Sequence, residues 1–249
     1  MSFEERIRNS SETKKSRIVL ALDVQDPDRN NLLRKSTEIL RQVSEYICAV
    51  KINRQLVLSL GLREGVDFIV SMAHELSLPT IMDAKLNDVG HTNEFMMRSY
   101  VDIGFDGVIA SPVAGWEGGL DSVFQLAASR GRGVILLVYM SNPGAETLYS
   151  QKIAPTNGKP RPVFELFAEM AVQWKANGVI VGATKPEIIT RVRELVGPNM
   201  AIFSPGVGAQ GGDPTKAMAA GSDYLIVGRS IYAATDPPYE ARRYRDLAM

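Results

Sequence analysis

The sequence predicts an α/β fold, a closed (β/α)₈ barrel with an extra N-terminal helix. Eight short apolar runs rich in β-branched residues alternate with longer segments of helical periodicity. The runs are apolar almost throughout, which is typical of parallel strands that are covered by helices. A chain of 249 residues has the usual length of one such barrel. An open, doubly wound sheet more often stops at five or six strands.

The eight predicted strands follow one another along the chain, each with a helical segment behind it. They are residues 17–24, 46–53, 80–86, 107–111, 133–140, 178–183, 201–205 and 224–230. Residues 3–14 are predicted to form the extra helix, which would cover the bottom of the barrel. Since no Pro/Ser-rich linker divides the chain, residues 1–249 are predicted to be one domain.

The longest connection lies between the fifth and sixth predicted strands. Residues 141–162, SNPGAETLYSQKIAPTNGKPRP, are rich in turn-forming residue types. Long connections in compact domains are often functional, so we expect this segment to be a lid loop.

Composition excludes several classes of protein. Lys plus Arg number 28 and Asp plus Glu number 28, and this balance argues against a nucleic-acid-binding protein. Cys48 is the single cysteine, and His74 and His91 are the two histidines, so neither a disulfide framework nor a Cys- or His-rich metal site is expected. No run of 18 apolar residues is present. We therefore expect a cytoplasmic protein that binds no nucleic acid and no membrane.

Polar side chains follow the predicted strands at the points where the strands end. In a barrel of this type, the carboxyl ends of the strands converge on one face, where active sites lie. Charged groups in apolar strands are unfavourable unless they are paired. The residues at these positions are Asp23, Lys51, Asp83, Lys85, Ser141 and Arg229.

The segment IMDAKLNDVGHTN, residues 81–93, is the most informative of these strand ends. Asp83 and Lys85 are two residues apart on a strand, so their side chains are predicted to face the same way. Asp88 follows in the next loop, and Lys51 ends the neighbouring strand. A single Asp–Lys pair would fit a structural salt bridge, but two lysines and two aspartates at this end of a barrel indicate a functional site.

Two loops predict a phosphate site. SPGVGAQGGDP, residues 204–214, follows the seventh predicted strand, and Gly228-Arg229 lies at the end of the eighth. Glycines let the backbone approach an anion closely, and these two loops are the usual phosphate site of such barrels. Gln210 would add a neutral donor, and Arg229 a guanidinium that can bind phosphate through two nitrogens.

These motifs together resemble the orotidine 5′-monophosphate decarboxylase family over nearly the whole barrel. The matching elements are LALDV (20–24), VKI (50–52), D-x-K-x-x-D (83–88), Thr92, MSNPGAE (140–146), SPGVGAQGGDP (204–214) and VGRSIY (227–232). The D-x-K-x-x-D element also occurs in related sugar-phosphate enzymes, whereas the loops after the fifth and seventh strands are more specific. The departures are slight: Val89 and Gly90 follow Asp88 where the family often has Ile and then Pro or Gly.

The resemblance implies a lyase that converts orotidine 5′-monophosphate (OMP) to UMP and CO₂, the last step of de novo pyrimidine nucleotide synthesis. It implies that no cofactor or metal takes part. Lys85 would protonate C6 of the pyrimidine as the carboxylate leaves, and Asp83 would lie near that carboxylate. Lys51 and Asp88 would complete the charged catalytic set.

The resemblance also assigns the substrate contacts. Asp23 and Lys51 would hold the ribose 3′-hydroxyl, and Ser141 would contact the pyrimidine edge. Asp88 and Thr92 would reach the ribose 2′-hydroxyl of the partner subunit, in a homodimer with shared active sites. The other implied contacts are Pro205 along the pocket wall and Gln210, Gly228 and Arg229 at the phosphate.

Two other interpretations stay open at this point. One is a related magnesium-dependent sugar-phosphate decarboxylase or synthase, which would be expected to carry an acidic metal ligand two residues before Asp83. Ile81 stands there, which disfavours this interpretation. The other is a non-catalytic barrel that binds a nucleotide or phosphate as a sensor, against which the intact Asp83, Lys85 and Asp88 argue.

Overall fold

The computed structural model describes residues 1–154 and 159–249, and eight parallel strands at its centre close into a barrel. The strands are β1 Ile18–Ala21, β2 Ala49–Asn53, β3 Thr80–Leu86, β4 Gly107–Ala110, β5 Gly133–Tyr139, β6 Lys152–Ile153, β7 Arg161–Pro162, β8 Gly178–Val181, β9 Ile202–Pro205 and β10 Tyr224–Val227. The spatial order in the barrel is β1-β10-β9-β8-β5-β4-β3-β2, and β1 pairs with both β2 and β10. The two short strands β6 and β7 pair antiparallel outside the barrel. The predicted (β/α)₈ barrel is confirmed.

Helices surround the barrel and separate its strands along the chain. They are α1 Phe3–Lys14, α2 Arg29–Val43, α3 Arg54–Leu60, α4 Asp67–Glu75, α5 Gly90–Asp102, α6 Asp121–Ser129, α7 Ala145–Tyr149, α8 Val163–Gln173, α9 Pro186–Val196, α10 Pro214–Ala219, α11 Arg229–Tyr232 and α12 Pro237–Leu247. Among the described residues, none of the helices combines the length and the apolar character needed to span a bilayer.

The apolar core forms two layers, as the near-continuous apolar strands require. Strand residues such as Ile18, Leu20 and Val50 face outward and pack with the helices in the larger layer. Residues that alternate with them, such as Val19 and Ala49, fill the interior of the barrel. The interior is therefore packed with side chains, and a ligand can enter only at its ends.

The N-terminal helix covers the bottom of the barrel, as predicted. Phe3 is 1% exposed and packs with the barrel interior, as does Ile7. A Cβ atom at Gly107, where β4 starts, would lie 2.6 Å from the Phe3 ring, and one at Gly133, where β5 starts, would also clash with it. Glycine at both strand starts thus makes room for the Phe3 ring.

Most of the predicted strands end one to three residues too late. The eighth was predicted to run to residue 230, but β10 ends at Val227 and Arg229 begins α11 instead. The reason is a turn at Gly228, whose carbonyl oxygen accepts hydrogen bonds from the N–H groups of Ile231 and Tyr232. Arg229 consequently stands on a helix after the strand and not in it.

The predicted lid contains regular structure. Residues 141–154 and 159–162 include α7, β6 and β7, and Val163 N–H donates a hydrogen bond to the Gln151 carbonyl. Residues 155–158 of the predicted lid lie outside the described residues. That residues 141–162 close over the cavity stays a prediction.

A buried carboxylate joins several elements at the bottom of the barrel. Asp106, just before β4, is 1% exposed. Its Oδ1 accepts hydrogen bonds from Arg6 and Arg132, both at 2.6 Å, and its Oδ2 accepts one from Thr80 N–H at 2.8 Å and lies 2.9 Å from His74 Nε2. Burial alone would raise the pKa of Asp106, but hydrogen bonds from His74 and Thr80 and the charge of Arg132 outweigh it and lower the pKa.

We expect Asp106→Asn to lower the free energy of unfolding by about 3 kcal/mol at pH 7, because it leaves Arg6 and Arg132 without their anion. The lowered pKa means that this stabilisation is complete above the ordinary Asp value of 3.8 and disappears as the pH falls below it. Urea unfolding at pH 7 and at lower pH measures both effects. Asp102→Asn, which changes an exposed carboxylate at the end of α5, is the control. Equal destabilisation by the two variants would contradict the assignment.

Candidate active site

A cavity of about 380 Å³ opens at the carboxyl ends of the barrel strands. The interior residues Ile109, Leu137, Ile180 and Ile226 contribute its apolar part. Nine of the eleven predicted site residues line it, and they are spread along most of the chain. They are Asp23, Lys51, Asp83, Lys85, Ser141, Pro205, Gln210, Gly228 and Arg229.

Asp83 stands between two lysines in this cavity. Its Oδ2 lies 3.0 Å from Lys51 Nζ, and its Oδ1 lies 2.6 Å from Lys85 Nζ. Lys51 is 4% exposed and Asp83 7% exposed, while Lys85 is half-buried. Lys51, Asp83 and Lys85 of the predicted charged set therefore lie together, with one carboxylate binding two ammonium groups, while Asp88 does not join them within the chain.

The cluster favours the ionised forms of Lys51 and Asp83. Burial by itself would lower the pKa of Lys51, but the charges of Asp83 and Asp23 outweigh it and raise the pKa. Burial would likewise raise the pKa of Asp83, but the charges and hydrogen bonds of Lys51 and Lys85 lower it. Both shifts favour the charged forms at neutral pH.

The backbone of β3 is irregular where it carries the cluster. Pairing with β4 shifts register between Met82 and Leu86, and Lys85 has a φ of 48°, in the left-handed region. Non-glycine residues adopt this conformation at a cost in free energy, and such strain concentrates at functional sites. The irregularity accompanies the close approach of Lys85 to Asp83.

Asp23 offers an unused acceptor to the cavity. It follows β1, and its Oδ1 is buried without a hydrogen-bond partner among the described residues. A buried carboxylate oxygen normally accepts a hydrogen bond. The arrangement therefore fits a ligand that brings a donor, such as a hydroxyl group.

The glycine-rich loop after β9 folds back against neighbouring loops. A Cβ atom at Gly206, which has a φ of 93°, would lie 2.7 Å from Ser141 Cβ. Ala209 N–H donates a hydrogen bond of 3.1 Å to Ser230 Oγ on α11. This packing places Gln210 and Arg229, both exposed, along the same end of the cavity.

Asp88 and Thr92 are the two predicted site residues that do not line the cavity of their own chain. Asp88 is exposed beyond β3, where its Oδ1 accepts a hydrogen bond from Val89 N–H at 2.7 Å. Thr92 lies in the first turn of α5. Their role at a partner's site stays a prediction.

Four polar residues of the cavity were not predicted, namely Gln25, Asn53, Gln55 and Tyr232. Asn53 could have been found, because it lies two residues after Lys51 on β2 and so faces the same way. It stands opposite Asp83 in the pairing of β2 with β3. Tyr232 stands in the VGRSIY segment that carries the family resemblance, but no role was predicted for it.

The described residues include no group of three or more His, Cys, Asp or Glu side chains placed to hold a metal ion. The polar groups of the cavity are instead lysines, carboxylates, amides, hydroxyls and an arginine. The fold is a (β/α)₈ barrel whose carboxyl end holds a lysine–aspartate–lysine cluster, with cationic and amide groups along one side of the cavity. This is the arrangement of a barrel enzyme that acts on phosphorylated substrates.

The comparisons with known proteins give the family. The sequence model of the protein family described as "Orotidine 5'-phosphate decarboxylase / HUMPS family" matches residues 16–244, and the chain belongs to this family. Orotidine 5′-phosphate decarboxylase of Methanococcoides burtonii is 37% identical over 94% of this chain and 97% of its own length. That of Thermococcus kodakarensis is 35% identical over 92% of this chain and 94% of its own. The family predicted from the sequence is confirmed.

Solved structures of orotidine 5′-phosphate decarboxylases have the same fold as this chain. The chain superposes on orotidine 5′-monophosphate decarboxylase of Methanocaldococcus jannaschii, solved with the inhibitor BMP, with a TM-score of 0.80 and 28% identity. The match covers 94% of this chain and 98% of that one. The decarboxylase of Pyrococcus horikoshii gives a TM-score of 0.74 at 34% identity, covering 93% and 98% of the two chains.

Proposed function

We propose that this protein converts OMP to UMP and CO₂, completing de novo pyrimidine nucleotide synthesis. The observation that carries the proposal is the Asp83 carboxylate held between Lys51 and Lys85 at the carboxyl end of the barrel. Family membership and relatives named orotidine 5′-phosphate decarboxylase support the choice of substrate.

The cluster suits a decarboxylation that leaves negative charge on carbon. The C6–carboxylate bond breaks, CO₂ leaves, and the electron pair stays at C6. A fixed ammonium at Lys85 stabilises that developing charge and then delivers its proton to C6. Asp83 holds the ammonium in place and lies near the departing carboxylate.

The rest of the cavity binds the nucleotide. Asp23 accepts a hydrogen bond from the ribose 3′-hydroxyl through its unpartnered Oδ1, and Lys51 donates to the same hydroxyl. Ser141 contacts the pyrimidine edge, Pro205 forms part of the pocket wall, and the phosphate lies at the end of the cavity lined by Gln210, Gly228 and Arg229. Binding energy from this remote phosphate orients C6 against Lys85.

Each site is completed by a second copy of the chain. Asp88 and its neighbour Val89 are exposed, and the helices that follow β2 and β3 each expose a large apolar side chain. Leu58 on α3 is 86% exposed and Phe95 on α5 is 72% exposed. Phe95 lies one helical turn after Thr92, and such exposed apolar side chains support a twofold dimer in which Asp88 and Thr92 reach the partner's ribose. We further propose that residues 1–249 act as one domain, with 141–162 as its lid.

One assay tests the reaction and separates the alternatives. OMP is incubated with EDTA-treated protein, and both the absorbance of OMP and the release of CO₂ are followed. We expect stoichiometric formation of UMP and CO₂ without added metal. Activity that needs restored Mg²⁺ and a sugar phosphate would favour the metal-dependent relatives. Nucleotide binding without turnover would favour a sensor.

Removing Arg229 tests the phosphate site. We expect Arg229→Ala to lower kcat/KM for OMP roughly 10- to 100-fold, because a charge-assisted contact is lost. Turnover of the phosphate-free nucleoside should barely change. Steady-state kinetics with both substrates measure the difference, and Arg243→Ala, which removes an exposed arginine on α12, is the control. Equal losses for both substrates would show that Arg229 does not contact the phosphate.

A further inference from the structure

A second cavity adjoins the phosphate end of the candidate active site. It has a volume of about 550 Å³ and borders α2, α11 and the segment after β1. Gln25, Arg229 and Tyr232 line both cavities. The two cavities are therefore neighbours that meet at these three side chains.

The charged groups of this second cavity leave room for an anion. Lys35 of α2 lines it, and the Lys35 Nζ lies 2.6 Å from Asp26 Oδ2. An ammonium has three donors, so this contact leaves two for a ligand. The Glu38 carboxylate, also in the lining, has both oxygens 3.0 Å from Arg34 Nη1, which offsets its charge.

Arg229 stands where two anionic groups could share it. Its guanidinium has five donors in a planar fork, and a single phosphate uses only one edge of that fork. Lys35, whose ammonium is paired with Asp26, adds its remaining donors to the lining, and Gln25 and Gln42 supply neutral donors. These donors suit an anionic group better than a cationic one.

We propose that the second cavity binds the outer phosphate of a pyrimidine nucleoside 5′-diphosphate whose inner phosphate lies at Gln210 and Arg229. This inference rests on the proposed function, because the nucleoside has to occupy the candidate active site. Such a diphosphate cannot be formed by the decarboxylation itself, and it competes with OMP. It gives the enzyme a response to the pool of nucleotides made from its own product.

Isothermal titration with UMP and UDP in EDTA-containing buffer tests the proposal. For the unaltered protein we expect UDP to bind at least as tightly as UMP. Lys35→Ala should weaken UDP about fivefold and UMP less than twofold, since a half-exposed lysine contributes modestly. Lys35→Glu should weaken UDP further. Arg41→Ala removes the same charge from an exposed position on α2 outside the cavity, and it should change neither affinity.

The outcomes separate the two proposals. If UMP binds and Lys35→Ala affects UDP no more than Arg41→Ala does, the second phosphate subsite is wrong and the proposed function stands. A UDP affinity far below that of UMP in the unaltered protein would also reject the subsite. If the protein neither binds the two nucleotides nor decarboxylates OMP, the proposed function fails and the subsite fails with it; if it decarboxylates OMP but binds neither nucleotide, only the subsite is rejected. Decarboxylation of OMP by Lys35→Ala at the unaltered rate is the check that the main cavity is intact.

Discussion

Lys85→Ala should reduce kcat for OMP by about 10⁴-fold or more. The substitution removes the ammonium that stabilises charge at C6, an effect worth about 10²- to 10³-fold for one group. It also removes the proton donor, which contributes roughly 10²- to 10⁴-fold. Since the two roles belong to one side chain, both are lost together. Single-turnover kinetics with saturating OMP measure the chemical step directly.

The variant should stay folded, because Asp83 keeps its contact with Lys51 at 3.0 Å. Thermal unfolding and UMP affinity are the checks on fold and site. Lys175→Ala is the matched control, since Lys175 is an exposed lysine with a φ of 56° and lies outside the cavity. A Lys85→Ala enzyme that retains a tenth of the unaltered turnover would refute the assignment of Lys85 as proton donor.

The barrel could be predicted because its strands are apolar runs bounded by turns. The bounds of β3 and of α1 agree with their predictions. Strand ends were less accurate, because apolar character continues past the last paired residue, as at Leu22 after β1. Only the pairing of neighbouring strands determines where a ladder stops, and the sequence does not display that pairing.

The charged cluster could be predicted because two geometric rules determine where its side chains lie. Side chains alternate along strands, and the carboxyl ends of barrel strands converge. These rules bring Lys51, Asp83 and Lys85 together. They do not give the left-handed backbone of Lys85, because the register shift against β4 depends on the neighbouring strand.

The residues at the amino ends of β3 and β4 stabilise the fold, whereas those at the carboxyl ends belong to the candidate active site. At the amino ends, Asp106 is buried with its hydrogen bonds satisfied, and it joins α1, α4 and two strands. At the carboxyl end, Asp83 holds one half-buried lysine that faces the cavity, and the nearby Asp23 has an unpartnered oxygen. The carboxylate at the amino end is therefore saturated with donors, whereas Asp23 at the carboxyl end keeps an acceptor free for a ligand.

Mixing two inactive homodimers should restore activity if the active site is shared. A twofold dimer would build each site from Lys51, Asp83 and Lys85 of one chain and from Asp88 and Thr92 of the other. Asp88→Ala and Lys85→Ala homodimers each carry a lesion in every site. After random exchange, half of the dimers are heterodimers, and each has one site with both lesions and one with none. About a quarter of all sites should then be intact.

A matched mixture makes this result specific. Asp83 and Lys85 bind each other within one chain at 2.6 Å, so mixing Asp83→Ala with Lys85→Ala homodimers should restore nothing. In that mixture every site keeps one lesion, whatever the pairing of subunits. If Asp88 served its own chain, the Asp88→Ala mixture would behave in the same way. With subunit exchange established by mass spectrometry of differently labelled chains, a failure to recover activity in the first mixture would reject the shared site. Recovery in the second would contradict the placement of Asp83 and Lys85 in one site.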